Sequence, residues 1–308
     1  MVEQPPVRPP QPRRPRRQRL TRRQLAVRRI VALLAVLLLV GTVAWGAVTL
    51  VGSAGGGGDA TTQALPPPPK PLKIVFPEGF TRRDMAKRVT AVDGIAVRKR
   101  GVHPRLSAKA YLAATRSSKL PATFARDHKA RTLEGFLFPA TYDFGPQTTS
   151  GQLVKSQLAA FRSNWAKLDL TYAKSKHLTP FDVLTIAAMV EKETLAPDER
   201  RLVAAVIYNR LHAHMPLGID ATIRYGLNVP GTQSLRQSEL ANPTPYNTRL
   251  YPGLPPGPIA NPGLASMQAA AHPAKVDYLY FVRKPDKVHH FFTNSFTAFQ
   301  NYANAHGY

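Results

Sequence analysis

LTIAAMVEKETLAPDERRLVAAVIYNRL, residues Leu184 to Leu211, places two carboxylates, Glu191 and Glu193, near the end of a segment that is otherwise aliphatic. The residues before it signal a helix start. Thr179 is placed to cap, Pro180 falls at the first helical position, and Asp182 follows in the first turn. At about 100° per residue, Phe181, Leu184 and Ala188 share one side while Ile186, Met189 and Val190 cover the rest. A helix apolar on every face is a buried one. Burial disfavours the charged form of a carboxyl group, so a carboxylate on such a helix holds a proton nearer neutral pH, as a general acid must.

The same geometry restricts the chemistry. Glu191 and Glu193 are two residues apart and point roughly 200° apart around a helix. They cannot line one cleft as the acid and nucleophile of a retaining glycosidase, whose carboxyls stand about 5 Å apart. One can face a site, and the other needs a structural partner, for which Arg200, Arg201 or Lys192 is available. The alternative is that both are ordinary ion-pair partners.

VEKET at 190–194, with ER and VAAVIYNRL following within 199–211, resembles the signature of the YceG-like family, the endolytic murein transglycosylases. LEGFLFPATY at 133–142 is similar to that family's LEGYLFPDTY, with Ala140 in place of an Asp. MPLGIDATIRYG at 215–226 resembles its M-x-LQTDPTVxYG, departing at Gly218, Ile219 and Ala221. YNTRLYPGLPPGPIANPG at 246–263, AAAHPAKVDYLYFV at 269–282 and His290-Phe291-Phe292 complete an ordered set spanning most of residues 73–302. The end of the chain, FTNSFTAFQNY, lacks the acidic-His pair often seen there.

The resemblance implies that Glu191 is the catalytic acid of a lytic transglycosylase acting on peptidoglycan strands. It would protonate the leaving oxygen at C1 of N-acetylmuramic acid and then accept the proton of that sugar's own C6 hydroxyl. One residue serving as acid and then base follows from microscopic reversibility. That chemistry needs no cofactor, no metal and no second carboxylate. Asp220, Tyr246 and Asn247 are candidates for holding sugars, as acceptor, stacking ring and mixed donor–acceptor respectively. Each has a competing role in building turns or caps. Asn209 and Arg210 read as caps ending the second helix. His212 and His214 form HxH with no third ligand nearby in sequence, which argues against zinc. His289 and His290 would point apart on a strand.

The chain reads as an α+β protein with a single N-terminal transmembrane helix. Residues 1–29, rich in Pro and Arg, have the composition of a disordered tail. Ile30–Val51 is an uncharged aliphatic run of 22 residues, enough to cross a core of about 30 Å, and too long for a signal h-region of about 7–15 residues. The Arg cluster before it places the tail in the cytoplasm and everything after it outside the cell membrane. Residues 52–72 are a Gly- then Pro-rich linker. A strand at Lys73–Phe76, a capped helix from Thr81 and a second helix after Ser107 resemble the family's LysM-like module. This subdomain is assigned to 73–128 and the catalytic domain to 129–308. Leu158, Phe161, Trp165 and Leu168 mark an amphipathic helix within 149–168. The Pro/Gly-rich region 215–263 is the natural place for a glycan groove.

The formal charge is +24, of which residues 1–29 carry +9, leaving +15 beyond them. A basic surplus on both sides of a membrane points to lipid head groups inside and anionic wall polymers outside. There is no cysteine, hence no disulfide and no thiol nucleophile. Three function classes fit these features: a membrane-anchored murein lyase, with peptidoglycan synthases as partners; a non-catalytic wall-binding or scaffold protein; and a nucleic-acid binder. The expected topology and the absence of a recognition module argue against nucleic acid.

Overall fold

A computed structural model of the protein describes residues 71–117, 119–125, 127 and 132–307. The tail expected at 1–29, the membrane helix expected at 30–51 and residues 52–70 of the expected linker lie outside these. Among the described residues no helix is long and apolar enough to cross a membrane. Pro69–Tyr308 is one compact unit of α+β type, mostly helical, with two small antiparallel sheets.

Strand β1 (Leu72–Val75) leads through the turn at 77–79 into α1 (Arg82–Arg100), then α2 (Ala108–Ser117), and on to β2 (Thr141–Phe144). The start of α1 is a capping box: Thr81 Oγ1 accepts from Asp84 N–H, and Asp84 Oδ2 accepts from Thr81 N–H, each at 3.1 Å. β1 pairs with β2, Leu72 opposite Phe144 and Val75 opposite Thr141. The partner strand lies beyond residue 128, where the LysM-like subdomain was expected to end, because a lone four-residue strand leaves its backbone groups unpaired.

Helix α3 (Ser150–Trp165) buries Leu158, Phe161 and Trp165, as its periodicity predicts. Phe136 meets Phe124 and Phe161 edge to face at 4.9 and 5.2 Å, and Trp165 stacks on Phe161. After the short α4 (Thr171–Ser175) comes the central helix α5 (Pro180–Glu193). Thr179 caps it through a second capping box with Asp182, and Phe181 to Val190 are buried without interruption. The expectation of a helix apolar on all faces holds because α6 (Arg200–His212), α7 (Asp220–Leu227) and α9 (Leu264–Ala271) all pack against it. The short α8 (Gln237–Leu240) lies in the connection between α7 and α9.

Strands β3 (Tyr280–Arg283) and β4 (His290–Thr293) form a hairpin, followed by α10 (Phe296–Ala305). His289 faces Asp286 in the hairpin turn, whereas His290 turns inward. Glu199, just ahead of α6, accepts His290 N–H at 2.9 Å and lies 2.7 Å from its Nδ1, both side chains being buried. This pair fastens the hairpin to the start of α6.

Candidate active site

Glu191 lies in the last turn of α5, where the helix emerges from the core and the side chain is half-buried. Gly263, the N-cap of α9, donates its N–H to Glu191 Oε2 at 3.0 Å. Among the described residues, Oε1 takes no hydrogen bond. The carboxylate is thus anchored through one oxygen by a backbone N–H at the start of α9, with the other oxygen open.

The segment 257–263 delivers that N–H. Gly257 packs against the Phe181 ring at the start of α5, and Gly263 meets Glu191 at its end. The strap therefore links the two ends of α5, bending at Gly257, Ile259 and Ala260. Asn261 holds it: its N–H and Nδ2 both donate to Phe80 O at 2.9 Å, and its O accepts Gly79 N–H at 3.0 Å. The turn at 77–79 is thereby brought over Glu191.

That turn carries a second carboxyl which sequence reasoning missed. Glu78 lies directly against Gly263, so that a β-carbon there would collide with its Oε1. The Glu78 carboxyl is raised above its ordinary range by desolvation first and then by neighbouring Glu191, while Arg200 pulls the other way. A second carboxyl therefore stands beside Glu191, although the expected chemistry does not require one. The Pro-Glu-Gly turn at 77–79 was visible in sequence, but nothing local ties it to residue 191.

Glu193 faces elsewhere, as the angular separation requires. Burial, with Asp220 adding repulsion, pushes its carboxyl up to about 7, against the pull of Arg283, the Ala221 N–H and Lys192. The partners expected for it need correction in two cases. Arg201 Nε donates to His272 O, and the charge of Arg200 acts on Glu78. Asp220 opens α7, pairs with Arg249 at 2.8 Å and is close to half exposed. It stands on the Glu193 side of the helix end.

A buried polar knot supports the site from behind. Glu134 Oε1 accepts from Arg82 N–H and Asn261 Nδ2, both at 2.9 Å, and Oε2 accepts the Tyr225 hydroxyl at 3.1 Å. The Arg82 guanidinium, with Nε 3.8 Å away, contributes as a charge and not as a hydrogen bond. Burial nevertheless pushes the Glu134 carboxyl up to about 7. Gly135, with φ of 87°, lets the backbone approach Pro258: a β-carbon would meet that ring at 2.7 Å. The segment 133–142 and the strap 257–263 are therefore one interlocked unit.

Tyr246 packs edge to face on Tyr225 at 5.0 Å and is half-buried, so its ring is committed to a protein partner on at least one side. Asn247 is fully buried: its Nδ2 donates to Leu240 O and Asn242 O, and its Oδ1 accepts Arg249 N–H. All three hydrogen bonds go to its own loop, which is the turn-building role. Asn209 and Arg210 are not caps. Asn209 Nδ2 donates to Val276 O and Tyr278 O, and Arg210 to Leu279 O and Leu217 O, clasping the approach to β3.

A family model described as the YceG-like family matches residues 57–305. An endolytic murein transglycosylase of Streptococcus pneumoniae (strain ATCC BAA-255 / R6) is 36% identical over 228 residues, 68% of this chain and 40% of that protein. Another, of Bacillus subtilis (strain 168), is 39% identical over 153 residues, 49% of this chain and 42% of that protein. The chain thus spans about two fifths of the length of the curated relatives it matches. A crystal structure of a protein described as YceG-like from Listeria monocytogenes superposes with a TM-score of 0.62 at 30% identity, over 75% of this chain and 76% of that one.

Proposed function

The chain belongs to the YceG-like family, and on that premise we propose that it is a peptidoglycan lytic transglycosylase with Glu191 as its acid and base. The relatives named endolytic murein transglycosylase support this reading. The observation that carries it is the setting of Glu191: a carboxylate on a rigid, buried helix, one oxygen anchored by Gly263 N–H and the other open.

In the proposed reaction the Glu191 proton passes to the glycosidic oxygen as its bond to C1 of N-acetylmuramic acid breaks. The C6 hydroxyl oxygen of the same sugar then bonds to C1, and its proton returns to Glu191. Atoms and charge balance without water, leaving a 1,6-anhydro end and a chain shortened from within. Anchored by residues 30–51 with the folded unit outside the cell membrane, the enzyme would terminate nascent strands beside the synthases that extend them. Span length and the Arg-rich flank support that placement. Membrane fractionation with protease shaving of spheroplasts tests it, and a trimmed, soluble ectodomain in the medium would contradict it.

The catalytic test is Glu191→Gln, which keeps size but supplies no proton. Loss of general acid help costs about 10²–10⁴-fold, and here one residue serves both steps, so the deficit belongs at the upper end. Glu193→Gln should remain active. The assay is anhydro-muropeptide yield from uncrosslinked strands, with circular dichroism as the folding control. A folded Glu191→Gln protein working at near wild-type rate refutes the assignment. An inactive Glu193→Gln beside it moves the role two residues along.

A further inference from the structure

Beside the end of α5 lies a cavity of about 320 Å³, near the lower limit for small-ligand sites. Its walls are the first turns of α1, Lys192 between the two glutamates, α7, and the loop that follows α7. Four cationic side chains, Arg83, Lys87, Lys192 and Arg224, line it against one acid, Asp84. That acid is already engaged, since its Oδ2 accepts both the N–H and the hydroxyl of Thr81.

The cations are held in two ways. Arg224 Nη1 donates to Pro230 O at 3.0 Å and Gln233 O at 2.6 Å, which fixes the rim. Arg83 Nη1 donates to Oδ1 of Asn228, a left-handed residue at φ 57°. Lys87 and Lys192 are exposed, and Lys192 Nζ donates to Gly79 O at 3.5 Å. Pre-placed cations in a concave wall lose less freedom on binding an anion than cations on an open surface, and the low-dielectric walls concentrate their field.

Position supplies the rest. Thr81, just past the turn that covers Glu191, and Ile259, on the strap that ends against Glu191, both line the cavity beside Lys192. A polymer strand with its scissile bond at Glu191 would carry the substituents of the adjacent sugar past this opening. We propose that the cavity is a subsite for a carboxylate-bearing substituent of the strand, namely the acidic peptide on a sugar next to the bond that is cleaved. This rests on the transglycosylase reading above.

The experiment uses the full chain and three soluble strand preparations: peptides intact, peptide carboxylates amidated, and peptides removed. Binding is read by fluorescence anisotropy, and cleavage separately as anhydro-end yield. Wild type should bind the intact strands about tenfold more tightly than the amidated ones, the contribution expected of a few charge-assisted contacts. The double variant Arg83→Gln/Lys87→Gln should bring that ratio within about twofold of unity. A control removing equal charge from exposed lysines elsewhere, Lys167→Gln/Lys174→Gln, should keep it.

Equal binding of intact and amidated strands by wild type overturns the subsite, as does equal loss of discrimination in the control. Cleavage without discrimination refutes the subsite and leaves the catalytic reading standing. Discrimination in binding without cleavage by wild type does the reverse.

Discussion

Glu134→Gln separates the electrostatic cost of the buried knot from its hydrogen bonding. With the carboxyl raised from 4.5 to about 7 in the folded protein, the folded state takes up a proton that the unfolded chain releases near its ordinary value. The carboxyl therefore costs nothing below pH 4.5. Its penalty grows as pH rises from 4.5 towards 7 and is constant above. At about 1.4 kcal/mol for each tenfold change in proton affinity, the full penalty is on the order of 3 kcal/mol. Glutamine fits the same contacts: its amide oxygen can take the place of Oε1 and accept from Arg82 N–H and Asn261 Nδ2, while its NH₂ donates to a rotated Tyr225 hydroxyl. Urea unfolding of wild type and variant at pH 4.5, 6 and 8 measures the effect. The variant's stability relative to wild type should climb by about 3 kcal/mol across that range. Glu193, also raised to about 7, is present in both proteins and cancels in the difference. A difference flat with pH would show that Glu134 titrates as an ordinary carboxyl and that the knot is not an electrostatic liability.

Gly263→Ala would place a methyl group directly against Glu78 Oε1, forcing that exposed carboxyl outward. The fold should lose less than about 1 kcal/mol because a flexible side-chain end gives way, whereas turnover should fall at least about tenfold as the wall over Glu191 is disturbed; unchanged kcat would mean that Glu78 has no part in the site. Gly135→Ala meets the rigid Pro258 ring at 2.7 Å from a backbone at φ 87°. Chemical denaturation should show a loss above about 2 kcal/mol, and a loss under half of that would contradict the interlocked packing.

Helix α5 was legible from sequence because its information is local. A cap, a proline, an acid in the first turn and a run of largely apolar residues from Val183 to Val190 act within a few turns, and the angular separation of Glu191 and Glu193 follows from helix geometry alone. The amphipathic α3 and the capping box of α1 were readable for the same reason. What lay beyond sequence were contacts between distant residues, where periodicity has nothing to report. β1 finds its partner at Thr141–Phe144, past residue 128, where the LysM-like subdomain was expected to end, because unpaired backbone must be satisfied wherever a strand is available. Asn247 turns inward to hold three backbone groups of its own loop, although its residue type equally suits a sugar. Glu78 reaches Glu191 only because Asn261 ties the turn at 77–79 to the strap along α5. Local propensity determined which side chains sit on which helix, but the burial and hydrogen bonding of the closed chain decided which carboxyl groups meet.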